Sequence, residues 1–425
     1  MHKYTYYFMN KWKMLLFLFL IPYNLIKDAF SILNNLILLR KKMKKKLVRM
    51  SPAMSIAFVL FASHAGGGFA TGNQANTYFV KLGWSGLVSA LVAMVLLTWT
   101  LKEAIVMYNS RGLKSYKELF ETLYHPFDKL ELVFEGFYYI MVVMVIASTI
   151  SGSASALKEF FNFNYGLSVL GVSVLTLMLA IFGERLVRNV GTLMGMVILV
   201  TSVLIYLVGS FKGDLVGVLT SNFAKTGFSN LDKAIFNGFI YAGFQCVQIP
   251  SMISCSRVLN SEREVSKSMK LSCLINSLAL GLSVLMLLVW RGYYTGLEGG
   301  EVIPTLTSTN AMGFKWMTAF YVISLVLCLL SSGVSIIFGF VSRFENSKAL
   351  RKVESLELRR FGLAVGILVL SMAISMAGLT NIIKYGYGYC GYIAILFIVL
   401  PFTTVGYYKN KKYLQPEVRR EFVLD

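Results

Sequence analysis

Apolar residues in this chain come in long unbroken runs. Stretches of roughly 20 mostly apolar residues, the length that crosses a bilayer core as a helix, recur at approximately 53–80, 84–107, 132–155, 166–183, 190–211, 233–256, 271–290, 315–341, 361–379 and 383–407. No stretch of about ten residues alternates apolar with polar at a period of two, as a membrane β-barrel requires. The pattern predicts an all-α polytopic membrane protein with ten transmembrane helices.

Shorter signals lie between the runs. Ser115-Tyr116-Lys117-Glu118 has the serine-to-glutamate spacing of a capping box, followed by Leu119, Phe120 and Leu123 at helical spacing and ended by His125-Pro126. This predicts a short amphipathic helix over 115–124, lying on the cytoplasmic interface. The stretch 292–314 contains Pro304 and several threonines and no span, and is expected to cap the outer vestibule.

Charge fixes the orientation. With the N-terminus inside, 33 of the 41 Lys and Arg residues fall in segments on the cytoplasmic side, the bias of the positive-inside rule. Adding or removing one span would scramble it. Both termini are therefore expected in the cytoplasm, with the protein in a bacterial plasma membrane; Met43-Lys-Lys-Lys looks like an ordinary bacterial start before a first span. The net charge of +20 belongs to the face that meets anionic lipid headgroups, so the partner implied is the lipid bilayer and not nucleic acid.

Composition agrees. Hydrophobic residues make up 56% and charged residues 15%, against about 25% charged in soluble domains. The five cysteines (Cys246, Cys255, Cys273, Cys328 and Cys390) lie in apolar stretches without a CxxC pair, and are expected as buried free thiols. No HExxH, GxSxG, P-loop or pair of mid-span acids is present, which argues against an enzyme or an ATP-driven pump and implies no cofactor.

Residues 1–49 form a basic extension rich in Tyr, Phe, Asn and Lys. Three readings stand for it: translation starting at Met43 or Met50, an interfacial or extra helix, and a signal peptide. The remainder divides into a ten-helix domain over 50–410 and a cytoplasmic tail over 411–425.

Two runs carry helix breakers at mid-span. The first reads Ser63-His64-Ala65-Gly66-Gly67-Gly68-Phe69-Ala70-Thr71-Gly72. Each glycine disfavours a helix interior by about 1 kcal/mol relative to alanine, so three in a row predict local unwinding. The sixth carries Gly238, Gly243 and Pro250, with Asn237, Tyr241, Gln245 and Gln248 between them. Irregular backbone at membrane depth persists only beside protein or a watery cavity. The first and sixth of ten spans each open a set of five, and the second set enters the membrane inverted. Paired interruptions in matching positions point to a 5+5 inverted repeat, about 50–211 and 231–407, with helices 1 and 6 discontinuous around a transported solute. Close helix packing is the other use of such glycines.

Gly66-Gly67-Gly68-Phe69-Ala70-Thr71-Gly72, followed by Tyr78-Phe79 and Gly83, resembles the signature of the YkvI-like membrane proteins. These are similar to the amino acid–polyamine–organocation transporters of LeuT-like fold, and the resemblance covers about 50–410. It differs from the family at His64, where an apolar residue is usual, and near Gln74, where an acid is usual. The resemblance implies a midplane site in which the amides of Gly66, Gly67 and Gly68, beside Ser63 and His64, face an anionic group such as a carboxylate. Free amides at an opened helix N-terminus suit an anion. Tyr241, Gly243 and Gln245 would line the opposite side. It further implies a Na+ site built from the carbonyls of Ala62, Ala65 and Cys328 and the hydroxyls of Ser331 and Ser332, an oxygen donor set suited to a hard cation.

The expected function is secondary active transport of a small amino-acid-like or organic solute by alternating access. Coupling is to Na+ or H+, with Na+ favoured because His64 is the sole ionisable residue expected at mid-span. The alternative is a non-transporting nutrient sensor resembling the spore-germination permeases. His64, Ser331 and Ser332 have structural roles open to them as well: a bond to a freed carbonyl for His64, and back-bonding to their own helix for the serines. Tyr385, Tyr387, Tyr389 and Tyr392 are expected as an interfacial belt. Monomer and homo-oligomer stand equally.

Overall fold

In hydrocarbon a backbone N–H or C=O must find its partner within the chain, and only helices do this segment by segment. The computed structural model describes residues 51–64, 66–182, 200–345, 347 and 350–414, and its regular elements are all helical. The N-terminal extension, most of the tail, Ala65 and the start of the fifth run lie outside the described residues.

The first run is three helical pieces, α1 (Pro52–His64), α2 (Gly67–Ala70) and α3 (Asn73–Tyr78). Next come α4 (Ser85–Ser110), α5 (Tyr116–Tyr124), α6 (Glu131–Phe161) and α7 (Tyr165–Phe182). The fifth run contributes α8 (Val200–Lys212), which turns by 76° into α9 (Leu215–Thr226). The sixth run gives α10 (Leu231–Gln245) and α11 (Ile249–Cys255), and the seventh α12 (Glu262–Val289). Two short helices, α13 (Arg291–Thr295) and α14 (Pro304–Ala311), precede α15 (Lys315–Phe344), α16 (Leu356–Ser375) and α17 (Leu379–Tyr413). Among the described residues, six helices are long and apolar enough to cross a membrane, up to seven if α8 with α9 is one span, while α1 and α7 are shorter apolar helices.

The long helices sort into two packing groups. In the first, α4 packs on α10 and α12, and α12 packs on α1; in the second, α6, α7, α15 and α16 all pack on one another. The second group has its own apolar core around Ile146, Ile150, Ile337 and Leu368. α17 touches both groups, through α10 and α6, and the single turn α2 leaves the first group to rest on α6 and α15.

The two expected breaks differ in kind. Gly66 is extended at ψ −175°, and Gly72 takes the left-handed conformation at φ +80°, so the first run is interrupted on both sides of α2. The sixth run is not unwound. Between α10 and α11 lies one tighter 3-10 turn, Cys246–Gln248, and Pro250 enters at the start of α11, where its missing N–H forfeits no helical bond. Its glycines serve packing. A Cβ on Gly238 would sit 3.0 Å from the Ser89 carbonyl oxygen, and one on Gly243 2.6 Å from that of Gly391.

The 115–124 helix forms as the capping pattern predicts. The Ser115 hydroxyl accepts from the Glu118 N–H at 3.2 Å. Its apolar face meets protein rather than lipid: Phe120 stacks on Phe134 at 3.7 Å and meets Phe402 edge-on at 5.5 Å. The ammonium of Lys409 donates to the carbonyls of Thr122, Leu123 and His125 at 2.9–3.0 Å, closing the helix C-terminus. Two other expectations need correction. Cys255 is exposed and Cys273 half-buried, whereas Cys246, Cys328 and Cys390 are buried. Tyr387 leaves the expected aromatic belt, buried with its hydroxyl 2.8 Å from that of Ser148.

Candidate functional site

α1 ends in a buried histidine, and the chain is extended at Gly66 before helix resumes at Gly67. His64 then projects toward α10 and α12. Its Nδ1 lies 2.8 Å from Asn276 Oδ1 and its Nε2 2.8 Å from the Tyr241 hydroxyl. Tyr241 donates to Gln74 Oε1 at 3.0 Å, Gln245 reaches the same oxygen at 3.5 Å, and Gln248 donates to Gln245 at 2.6 Å. At the other end, Asn276 donates to the Ser272 carbonyl, Ser272 to the Ser268 carbonyl and Ser268 back to the carbonyl of Ala53. A polar chain thus runs through the first packing group, in the middle of helices that are otherwise apolar.

Hydrogen counting ties its parts together. Asn276 Oδ1 can only accept, so Nδ1 of His64 carries a proton. If Nε2 is bare, it takes the Tyr241 hydroxyl proton, and Gln74 must then offer its NH2 to the tyrosine oxygen. Gln245 and Gln248 have to turn with it. Gln74 turns its Oε1 toward Tyr241, and Gln245 turns its Oε1 toward Gln248; the reversed order of these amides suits a neutral imidazole whose Nε2 accepts from Tyr241. The charge on His64 and the direction of three amides are one variable.

Aromatic rings wall this chain. Phe79 and Phe244 each lie 4.8 Å from the Tyr241 ring, with Tyr78 at 5.9 Å. Phe69, the aromatic residue of the glycine motif, stands 5.1 Å from His64 and 6.3 Å from Tyr206 of α8. The Tyr321 hydroxyl of α15 donates to the carbonyl of Ala70, taking up one of the carbonyls that the break leaves without a helical partner.

Of the sequence-expected residues, His64, Tyr241 and Gln245 come together directly. Gly68 lies against them, since a Cβ there would be 2.1 Å from the Gln74 amide nitrogen. Gly66 lies toward α15: a Cβ on it would be 3.5 Å from the Ser63 carbonyl oxygen and 3.9 Å from Ser332 Oγ. Gly67 opens the turn α2. Gly243 faces α17, apart from the polar chain. Ala62 and Ser63 lie on an exposed face of α1, Cys328 is buried, and Ser331 donates to the Cys328 carbonyl at 3.1 Å. Ala65 lies outside the described residues.

Sequence reading passed over Asn276, and used Gln74 and Gln248 only as neighbours of the breaks. All three are buried. The signal for Asn276 was its place as a lone amide in the apolar run 271–290, because polar side chains at membrane depth seek partners within the protein.

The end of the molecule that holds α14 is fastened across the break. Asn73 donates to the carbonyls of Glu301 and Val302 and to Thr380 Oγ1 at 2.8–3.1 Å. Tyr294 donates to Asn76 at 2.9 Å, Thr307 donates to Glu159 at 2.6 Å, and Lys81 pairs with Glu301 at 3.4 Å. On the far side of the break, the α1 face bearing Ser55, Ala62 and Ser63 and the α15 residues Ser335 and Ser342 are exposed.

No family model and no curated protein sequence matches this chain. Its structure does have likenesses. A Na+-coupled sialic acid symporter in a substrate-bound outward-open state superposes with a TM-score of 0.55 at 13% identity, over 84% of this chain and 90% of that one. MhsT in complex with L-phenylalanine gives 0.55 at 14% identity, over 84% and 97%. The manganese transporter of Eremococcus coleocola gives 0.51 at 17% identity, over 83% and 78%. At such identities the likeness is one of fold, the LeuT-type fold.

Proposed function

We propose that this chain is a secondary transporter of a small polar solute, built as a five-plus-five inverted repeat over about 50–211 and 231–407. The observation that carries the proposal is the buried polar chain from Ser272 through His64 and Tyr241 to Gln248, strung between a broken first span and two of its neighbours. A buried polar network in hydrocarbon is a functional feature by default, and its position beside interrupted backbone is where transporters hold their cargo. The solute takes its place among Tyr241, Gln245 and the amides around Gly66, Gly67 and Gly68. The fold shared with a sialic acid symporter, MhsT and a manganese transporter supports the same reading.

Na+ is the proposed coupling ion, held between the first span and α15 by the carbonyls of Ala62, Ala65 and Cys328 and the hydroxyls of Ser331 and Ser332. The proximity of Ser332 Oγ to the Gly66 backbone supports this, and the donors are all oxygens, as a hard cation requires. The positive-inside bias puts α14 outside and both chain termini in the cytoplasm. The fastened contacts around Asn73 then support a conformation closed to the outside.

Counterflow in proteoliposomes tests the reading. Labelled amino acids and small organic solutes should accumulate saturably under an inward Na+ gradient and not under a choline gradient. Tight binding without flux would favour a nutrient sensor instead, and absence of both binding and flux would refute the proposal.

A further inference from the structure

Beside Phe69, whose ring also meets His64, lies a second group of polar side chains, which the polar chain does not use. Tyr206 of α8, Ser283 of α12, and Thr305 and Ser308 of α14 are all fully buried. The Tyr206 hydroxyl stands beside those of Ser283, Ser202 and Thr305. Tyr206, Ser283 and Thr305 stand close enough to interact with one another, yet no side-chain oxygen of these three or of Ser308 completes a hydrogen bond of normal length and angle. Thr305 and Ser308 are three apart on α14 and so share a face. That face is held against the first span, where the Thr305 N–H donates to the Thr71 carbonyl at 3.4 Å.

A buried hydroxyl without a partner is unfavourable by about 1–3 kcal/mol. Other buried hydroxyls of the described residues also lack a partner, but Tyr206, Ser283 and Thr305 are set apart by standing together from three elements, with Ser308 one turn along α14. Converging hydroxyls donate and accept at once and carry no charge. They match a neutral group of the same kind, not a carboxylate or a metal ion of high charge. Phe69, 6.3 Å from Tyr206 and 5.1 Å from His64, gives an apolar surface joining the two polar regions.

We propose that Tyr206, Ser283, Thr305 and Ser308 form a hydroxyl-recognising subsite, and that the solute is a net-neutral molecule bearing at least one hydroxyl. This deepens the transporter reading and rests on it. One end of the solute binds at Tyr241 and Gln245, its body lies along Phe69, and its hydroxyl completes the bonds the protein leaves unmade. A site built to hydrogen-bond a hydroxyl rejects the analogue lacking it far more strongly than an apolar pocket discriminates between sizes.

The test uses matched pairs differing by one hydroxyl: L-serine and L-alanine, L-threonine and L-2-aminobutyrate, D-glucose and 2-deoxy-D-glucose. Binding to the purified full chain is read by calorimetry and thermal shift. At least one hydroxylated member should bind about tenfold or more tightly than its partner, a difference of about 1.4 kcal/mol. Tyr206→Phe and Ser283→Ala, made separately so that one failure to fold leaves the other, should each reduce that preference below about threefold. Binding without preference, or a preference that survives both substitutions, overturns the subsite and leaves the transporter reading intact. If no probe binds and none is taken up by proteoliposomes, the transporter reading falls and the subsite with it.

Discussion

Tyr241 shows how much rests on single atoms in this molecule. Its hydroxyl bridges His64 at 2.8 Å and Gln74 at 3.0 Å. Tyr241→Phe strands both partners in a buried setting, so unfolding in detergent should occur with a loss of about 1–3 kcal/mol, and solute binding should weaken sharply. The motif glycines separate into two kinds. At Gly72 the backbone is left-handed and a Cβ would lie 2.3 Å from Thr305 Oγ1. Gly72→Ala should therefore lower stability by about 1–3 kcal/mol, from backbone strain and crowding together, seen as a fall in Tm. At Gly68 a Cβ would meet Gln74 from its amide nitrogen to its Cγ, at 2.1–2.6 Å. Gly68→Ala should push Gln74 off Tyr241 without straining the backbone, so that Tm falls by the loss of that buried hydrogen bond, about 1–3 kcal/mol, and binding weakens with it. The sequence announced glycines, a histidine and a tyrosine. It did not announce that Asn276, 212 residues further on than His64, would be the other partner of the imidazole, because that pairing depends on how two helices meet.

At the scale of elements, local patterning was largely legible. The capping box at Ser115 and the apolar positions Leu119, Phe120 and Leu123 produce the helix Tyr116–Tyr124, since capping and helical spacing are decided within a few residues. Ser115→Ala should weaken that helix by about 1 kcal/mol, visible as faster amide exchange over 116–124 with no change elsewhere. The use of glycines was less legible. In α10 they bring backbones together: a Cβ on Gly391 would lie 2.6 Å from the Ile240 carbonyl oxygen. The same residue type therefore breaks the first run and tightens the sixth, and composition alone does not separate the two uses. The face of α5 expected on lipid was bound instead by Phe134 and Phe402, because an apolar stripe accepts protein and bilayer alike.

At the scale of the whole molecule, two packing groups meet across a short broken segment, and one side of that segment is fastened. The two N–H groups of the Asn73 amide, shared among the Glu301 and Val302 carbonyls and Thr380 Oγ1, help to hold it. Asn73→Ala should release α14 in part. Amide exchange over Pro304–Ala311 should quicken while α6 and α15 keep their protection, as expected when a local opening has lost its anchors. Unchanged exchange there would mean that the remaining contacts of Tyr294, Thr307 and Lys81 suffice.

The sequence by itself determined that this chain is helical, that it belongs in a membrane, where most helices run, and that the backbone breaks after His64. Those properties follow from local hydropathy, charge and the conformational freedom of glycine, which act over a turn or a span. Only the tertiary structure decided which polar residues meet, that α2 rests on the second helix group, that the sixth run stays wound, and that hydroxyls from α8, α12 and α14 meet near Phe69. These depend on the approach of segments far apart in the chain, where a hydrogen bond needs two partners placed to within a few tenths of an ångström.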